Sequence, residues 1–202
     1  EPIARADLVG ACFTNCLRKT APEGATEAVF GTNPLAVAIP TDGDPILLDF
    51  STSAVTIGDL LVAARRGGAL PDSVAFDADG APTTDPERAT KGALRTFGGH
   101  KGSGLALVIQ LMSTAFTGAT VFPSPGRDYG YVCLACDPYL FVERESFQAS
   151  VRELAAGVKS ARHIEGVGEV LLPGERTFRT RAKNLEAGID LEGTLEQVER
   201  RL

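Results

Sequence analysis

Phe30-Gly31-Thr32-Asn33-Pro34-Leu35-Ala36-Val37-Ala38-Ile39-Pro40 is the stretch on which the reading of the chain turns. Gly31-Thr32-Asn33-Pro34 is a breaker, because glycine frees the backbone and proline disfavours helix for the residue before it. The apolar run that follows, residues 35–39, is short and closed by Pro40, which predicts a strand. Ile46-Leu47-Leu48-Asp49-Phe50 repeats the pattern between Pro45 and Ser51-Thr52-Ser53, as a strand running into a helix N-cap does. The helix is predicted over residues 54–66. It stops at Gly67-Gly68, where a residue without a Cβ adopts the left-handed cap conformation. Strands and helix following so closely mark an α/β chain.

Working outward, residues 3–20 predict a first strand and a polar turn. Residues 70–97 are rich in Pro, Asp, Thr and Gly, with turns at 77–80 and 82–86, and predict a long ordered loop or lid. Asp77-Ala78-Asp79-Gly80 has two acids before a glycine, but Ala75 stands where an EF-hand needs its first ligand, so an Asp-Gly turn is expected. Residues 105–117 are apolar nearly all round and predict a central, buried helix. Beyond a surface connection at 123–126, Tyr131-Val132-Cys133-Leu134-Ala135-Cys136 predicts a buried strand. A charged helix is expected over 146–160, and a last one over 194–202. There is no internal repeat, and the whole reads as one interleaved unit.

The chain has 202 residues, 44% of them hydrophobic and 23% charged, the make-up of a globular α/β protein with a sizeable core. A formal net charge of -6 offers no electrostatic footprint for nucleic acid, so small molecules are the expected ligands. No apolar run approaches the roughly 20 residues that span a bilayer, and Glu1-Pro2-Ile3-Ala4-Arg5 does not open a signal peptide. No membrane partner and a cytoplasmic location are expected.

The four cysteines, Cys12, Cys16, Cys133 and Cys136, have two readings: a four-thiolate zinc site, or buried free thiols in a reducing compartment. A strand is a poor geometry for the Cys133 and Cys136 half-site, because residues three apart face opposite sides. Buried thiols are the expectation and no metal site is assigned. His100 and His163 are the only histidines, and neither has a Ser, Cys or Asp at a spacing that marks a catalytic pair.

Two places could carry chemistry. Gly98-Gly99-His100-Lys101-Gly102-Ser103-Gly104 leads into the apolar helix, where helix N–H groups, closely approachable through glycine and flanked by Lys101, suit a phosphate. It has neither Walker A spacing nor the G-x-G-x-x-G fingerprint of a Rossmann βαβ unit, and glycines that merely allow tight packing explain it equally well. Asp49, at the end of its strand, can reach a ribose hydroxyl, or it can cap the following helix together with Ser51.

Taken in order, the 30–40 stretch, Asp49-Phe50-Ser51-Thr52-Ser53, Leu70-Pro71 with residues 77–86, residues 98–105 and Leu172-Pro173-Gly174-Glu175 resemble successive signatures of the malate/L-lactate dehydrogenases. That family includes ureidoglycolate, sulfolactate and imine-reducing members, and the resemblance covers almost the whole chain. It implies a non-Rossmann α/β nicotinamide-binding fold, a mixed β-sheet flanked by helices, in a homodimeric oxidoreductase. The reaction implied is hydride transfer between NAD or NADP and a small 2-hydroxy acid, such as malate or lactate, or its 2-keto acid. Cofactor contacts are implied at Thr14, Thr32, Asp49, Ser51 and Lys101 and at the Gly174-Glu175 turn. Lys101 would face phosphate or ribose, Asp49 and Ser51 the cofactor's polar edge, and Gly174 would let backbone approach closely.

By the same resemblance the catalytic histidine, and the Ser-His and Arg that hold the substrate carboxylate, belong to segments preceding residue 1. Residues 1–202 are therefore expected to be the cofactor-binding and C-terminal part of such an enzyme, with no catalytic residue named among them. The chain departs from the family pattern at Gly58-Asp59, where Gly-Lys is common, and at Arg95-Thr96-Phe97, where a proline often precedes the glycine loop. A non-catalytic nucleotide-binding or interaction module on the same scaffold is the alternative.

Overall fold

Three of the apolar runs become strands with the expected bounds: β3 (Leu35–Ile39), β4 (Ile46–Phe50) and β7 (Tyr131–Cys136). They join β1 (Val9–Thr14) in a four-stranded sheet of order β4-β3-β1-β7, antiparallel at every pairing. The computed structural model describes residues 1–123 and 128–189. A second sheet, of order β2-β6-β5, holds β2 (Thr20–Ala21), β5 (Ala75–Phe76) and β6 (Ala93–Arg95), with β2 parallel and β5 antiparallel to β6. The helices are α1 (Pro2–Arg5), α2 (Ile57–Arg66), α3 (Pro86–Lys91), α4 (His100–Ser113), α5 (Arg144–Lys159) and α6 (Glu175–Ala187). The fold is thus mixed α/β without a Rossmann unit, since no strand of the larger sheet has a parallel neighbour.

The N-terminal segment differs from its expectation, for residues 2–5 are a helical turn and the strand starts only at Val9. Proline at the first helical position, where a missing N–H costs nothing, accounts for the turn. α2 begins three residues later than expected. Thr56 is its N-cap: the threonine hydroxyl accepts from the Asp59 N–H at 3.0 Å, and the Asp59 carboxylate accepts from the Thr56 N–H at 3.1 Å. Asp59 closes this capping box. Gly67 ends the helix in the left-handed conformation, as expected.

Residues 70–97 are no lid. Leu70, Ala75, Ala89 and Leu94 are buried with Leu60 of α2, and Val55, Ile57, Ala63 and Val74 pack around them. The segment carries β5, α3 and β6, too short to show a period, and its turns bring them against α2. The turn at 77–80 is organised by buried Asp77, whose Oδ1 accepts from the N–H groups of Asp79 (3.0 Å) and Ala81 (2.9 Å) while its Oδ2 pairs with Arg88.

Two further expectations of burial fail. α4 buries only the side bearing Gly102, Ala106, Ile109, Gln110 and Ser113, whereas Leu107, Val108 and Leu111 are about half exposed, at 48%, 54% and 49%. A helix apolar on both sides does not disclose in its sequence which side its own chain covers. β7 is an edge strand in which only Val132 is buried, so Cys133 and Cys136 are exposed thiols, while Cys12 and Cys16 are half-buried. The charged helix expected over 146–160 is α5, begun two residues earlier, and α6 was not foreseen. The helix expected over 194–202 lies outside the described residues. No described helix is long and apolar enough to cross a membrane.

The Asp77 carboxyl is held below the usual aspartate value, chiefly by the Ala81 N–H and further by Arg88 and the Asp79 N–H, with burial opposing. A depressed folded value makes its stabilisation complete above the unfolded value of about 3.9 and loses it as pH falls through the folded value. Asp77→Ala therefore lowers the melting temperature at pH 7. The gap from the parent narrows as pH falls below about 5, and thermal melts showing a pH-independent gap would contradict this.

Candidate functional site

Thr14, Thr32 and Ser51 gather at one end of the four-stranded sheet. Thr14 closes β1, Thr32 leads into β3, and Ser51 follows β4; Leu35 and Phe50 are cross-strand partners there, as are Thr14 and Tyr131. The Thr14 hydroxyl donates to the Gly130 carbonyl at 2.9 Å, and the Thr14 N–H reaches the Pro34 carbonyl at 3.4 Å. The Thr32 N–H donates to Cys16 Sγ at 3.1 Å, and its own hydroxyl lies 3.3 Å from the same sulfur. The Ser51 hydroxyl is 2.9 Å from that of Ser53, which donates to the Val55 carbonyl.

Thr52, fully buried, links these residues to the glycine loop. Its N–H and its hydroxyl both donate to the Thr32 carbonyl, at 2.8 and 3.0 Å, and its carbonyl accepts from the Phe97 N–H at 3.0 Å. Phe50 and Phe97 meet edge to face with centroids 5.5 Å apart. From there Gly98 and Gly99 turn the chain into α4 with φ values of 56° and 60°, a region that favours glycine. The Thr96 hydroxyl holds the turn by donating to the Gly99 carbonyl at 3.1 Å.

The loop closes part of the helix start on itself. The N–H groups of Lys101, Gly102 and Ser103 donate to the carbonyls of Gly98, Phe97 and Gly99, so the loop itself satisfies them. The N–H groups of Gly98, Gly99 and His100 have no acceptor among the described residues, so these and the exposed Lys101 side chain are what remains to meet an anion.

Asp49 is not a helix cap, because Thr56 is. The aspartate is exposed in β4 and makes no hydrogen bond or ion pair among the described residues. It lines a groove of about 500 Å³ along the free edge of β4, together with Leu47, Leu171, Pro173, Gly174 and Arg176. The groove's far wall is docked by the backbone, the Leu47 N–H donating to the Pro173 carbonyl at 2.9 Å. Arg176, which sequence reading passed over, likewise has no partner among the described residues. Its signal was present in the sequence, as the first cation after the Gly174-Glu175 turn.

Glu175 has other commitments. Its Oε2 accepts from the Leu172 N–H at 3.0 Å, and its Oε1 pairs with Lys159 of α5. That pairing, reinforced by the Leu172 N–H and opposed by burial, holds its carboxyl below the usual glutamate range. Asn33 was quoted only as part of a breaker, yet it fixes the turn to α4. Buried, with φ of 33°, it donates from Nδ2 to the Ala106 carbonyl at 3.0 Å and to Gln110 Oε1 at 2.8 Å. An asparagine tolerates that conformation better than most residues. Among the described residues no three His, Cys, Asp or Glu converge on a metal position, and His100 and His163 are exposed.

Fold and residue set together define an α/β protein outside the Rossmann class, with hydroxyls, a free carboxylate and cations around one edge of an antiparallel sheet. The family model for malate/L-lactate dehydrogenase matches residues 1–199, and the chain belongs to that family. It is 42% identical over 199 residues to Delta(1)-pyrroline-2-carboxylate reductase 1 of Burkholderia ambifaria, a match covering 94% of this chain and 57% of that protein. It is 36% identical to L-sulfolactate dehydrogenase of Methanothermobacter thermautotrophicus, over 94% of this chain and 56% of the relative. Among solved structures, a dehydrogenase from Sinorhizobium meliloti superposes with a TM-score of 0.89 at 32% identity, over 98% of this chain and 60% of that one. The chain thus spans less than two thirds of the length of these relatives.

Gly174 is the position where the groove tolerates least. With φ of 94° it precedes α6, and a Cβ there would lie 3.0 Å from the Leu47 Cβ and from the Phe178 ring. Gly174→Ala is expected to cost of the order of 1–3 kcal/mol through backbone strain and to loosen the 171–174 wall. Denaturant unfolding measures the loss, and a variant as stable as the parent would remove this constraint.

Proposed function

We propose that this chain binds a nicotinamide dinucleotide, NAD or NADP, along the end and free edge of its antiparallel sheet, as part of an oxidoreductase acting on a small 2-hydroxy acid such as malate or lactate. The observation that carries the reading is the groove beside β4, where an unpartnered carboxylate, Asp49, an unpartnered guanidinium, Arg176, and the close-packed Gly174 turn line one surface. A dinucleotide carries ribose hydroxyls that donate and phosphates that accept, and this set offers the complement of each.

The residues fit the group. Asp49 would accept from ribose hydroxyls, Arg176 and Lys101 would meet phosphate oxygens, and the hydroxyls of Ser51, Thr32 and Thr14 would line the neighbouring sheet end. Glu175 would act from behind, holding Leu172 and the turn in place while neutralised by Lys159. When bound, the nicotinamide exchanges a hydride with the substrate's C2. A second reading, reduction of a cyclic 2-imino acid, is favoured by the 42% identity to a pyrroline-2-carboxylate reductase. Both reactions place hydride at a carbon next to a carboxylate and ask the same of the cofactor site. A homodimer in the cytoplasm completes the proposal, supported by the half-exposed Leu107, Val108 and Leu111 of α4, which offer apolar surface for burial.

Asp49→Asn separates binding from stability. The side chain is exposed and unpartnered, so the melting temperature of the cofactor-free protein stays unchanged. Loss of the charge-assisted bonds weakens cofactor binding about tenfold, equivalent to about 1.4 kcal/mol. Calorimetric titration of parent and variant with NADH and with NADPH measures this, and equal affinities would remove Asp49 from the site.

A further inference from the structure

We infer that Cys12 and Cys133 form a thiol pair that closes reversibly to a cross-strand disulfide when a low-molecular-weight disulfide of the glutathione type reaches it. The two residues are direct partners in the β1–β7 register, and their sulfurs are 3.3 Å apart. Which kind of partner follows from the hydrogen bonding. The Thr14 N–H points toward β3, where it meets the Pro34 carbonyl. With the two-residue period of a strand, the polar groups of Cys12 point toward β3 as well, and those of Phe13 and Ala11 toward β7. Cys12 and Cys133 are therefore a non-hydrogen-bonded pair, the kind in which Cα atoms approach to about 4.5 Å. That separation falls within the roughly 4.4–6.8 Å that a disulfide spans, so closure needs no movement of the backbone.

The surroundings favour this pair over any other. Cys133 is exposed on an edge strand, so a solvent disulfide reaches its sulfur, and Cys12 lies directly behind it. Cys136, three residues along β7, points to the opposite face. Cys16 is engaged with the N–H and hydroxyl of Thr32. Tyr131 shares the face of Cys133, and its contact with Cys12, with burial adding, pushes its hydroxyl up to about 12. The phenol thus keeps its proton at neutral pH and can donate to the Cys133 sulfur, whose thiol is pushed up chiefly by the contact with Cys12, so the exchange speeds up as pH rises.

The exchange balances in two steps. The Cys133 thiol loses its proton and its sulfur attacks the small disulfide; a protein–glutathione S–S bond forms, the glutathione S–S bond breaks, and the departing thiolate takes up a proton. Cys12 then loses its proton and attacks the Cys133 sulfur, forming the protein disulfide and releasing the second glutathione as thiol. Two protein thiols are oxidised and one small disulfide is reduced to two thiols. An exposed disulfide of this kind is readily reduced again, and while closed it ties the edge strand β7 to β1.

The test is to incubate the folded full chain with oxidised glutathione, then denature it and count free thiols. The count is expected to fall from four to two, to return to four after dithiothreitol, and the oxidised form should melt at a higher temperature. In the Cys16→Ser/Cys136→Ser variant, tryptic peptides 6–18 and 128–144 should be found cross-linked by mass spectrometry. Cys12→Ser should stop at a glutathione adduct on Cys133. Four thiols remaining, a stable adduct on Cys133 with Cys12 intact, or a cross-link between other cysteines would each overturn the inference.

Discussion

The structure hangs on Thr52, through its backbone and its hydroxyl. One residue donates twice to the Thr32 carbonyl and accepts from Phe97, with no exposed surface. On either side of it, Ser53 bridges to Thr96 and the Ala54 N–H donates to the Arg95 carbonyl at 2.8 Å. These bonds join the four-stranded sheet, the smaller sheet containing β6 and the start of α4. Buried backbone groups left unpaired cost about 1–3 kcal/mol each, so the three segments hold one arrangement. Thr32 is bonded directly into this junction, and Ser51 precedes it in the chain.

Local pattern was enough to locate the strands that build the larger sheet. β3, β4 and β7 are short apolar runs closed by proline, serine or aspartate, and such punctuation acts within a few residues of itself. What lay beyond reach depends on the partner of a surface. The apolar composition of α4 does not say that Leu107 and Ile109 meet different surroundings, and that of β7 does not say that it is an edge. The two-residue strands and six-residue helix of the 75–95 region carry no period, yet their side chains pack with Leu60 into a buried cluster. Residues 54–56 read as the beginning of a helix, but the pairing of Ala54 with Arg95 keeps them out of it, and the capping role passes to Thr56.

The site divides along the same line. Thr14, Thr32, Asp49, Ser51, Lys101, Gly174 and Glu175 came from ordered motifs, and most of them collect around one end and edge of a sheet. Their individual circumstances required coordinates. Asp49 is free and Glu175 is paired, although both are acids beside a turn, because Lys159 of α5 stands next to one and no described cation bonds to the other. The glycine loop read as a cradle of open N–H groups, but its own carbonyls take those of Lys101, Gly102 and Ser103, which leaves the N–H groups of Gly98, Gly99 and His100 beside the Lys101 side chain. Arg176 became visible only when the 171–174 segment was seen docked against Leu47 through Pro173.

The central claim is that the Thr52 junction and the β4 groove together form a nicotinamide-dinucleotide surface. Amide hydrogen exchange of the protein with and without saturating NADH, and separately NADPH, tests it most directly. The account predicts that one of them slows exchange in residues 30–34, 49–53, 96–102 and 171–176 while the 75–92 region is unaffected. Unchanged exchange in all four segments under both cofactors, or protection confined to other parts of the chain, would contradict it.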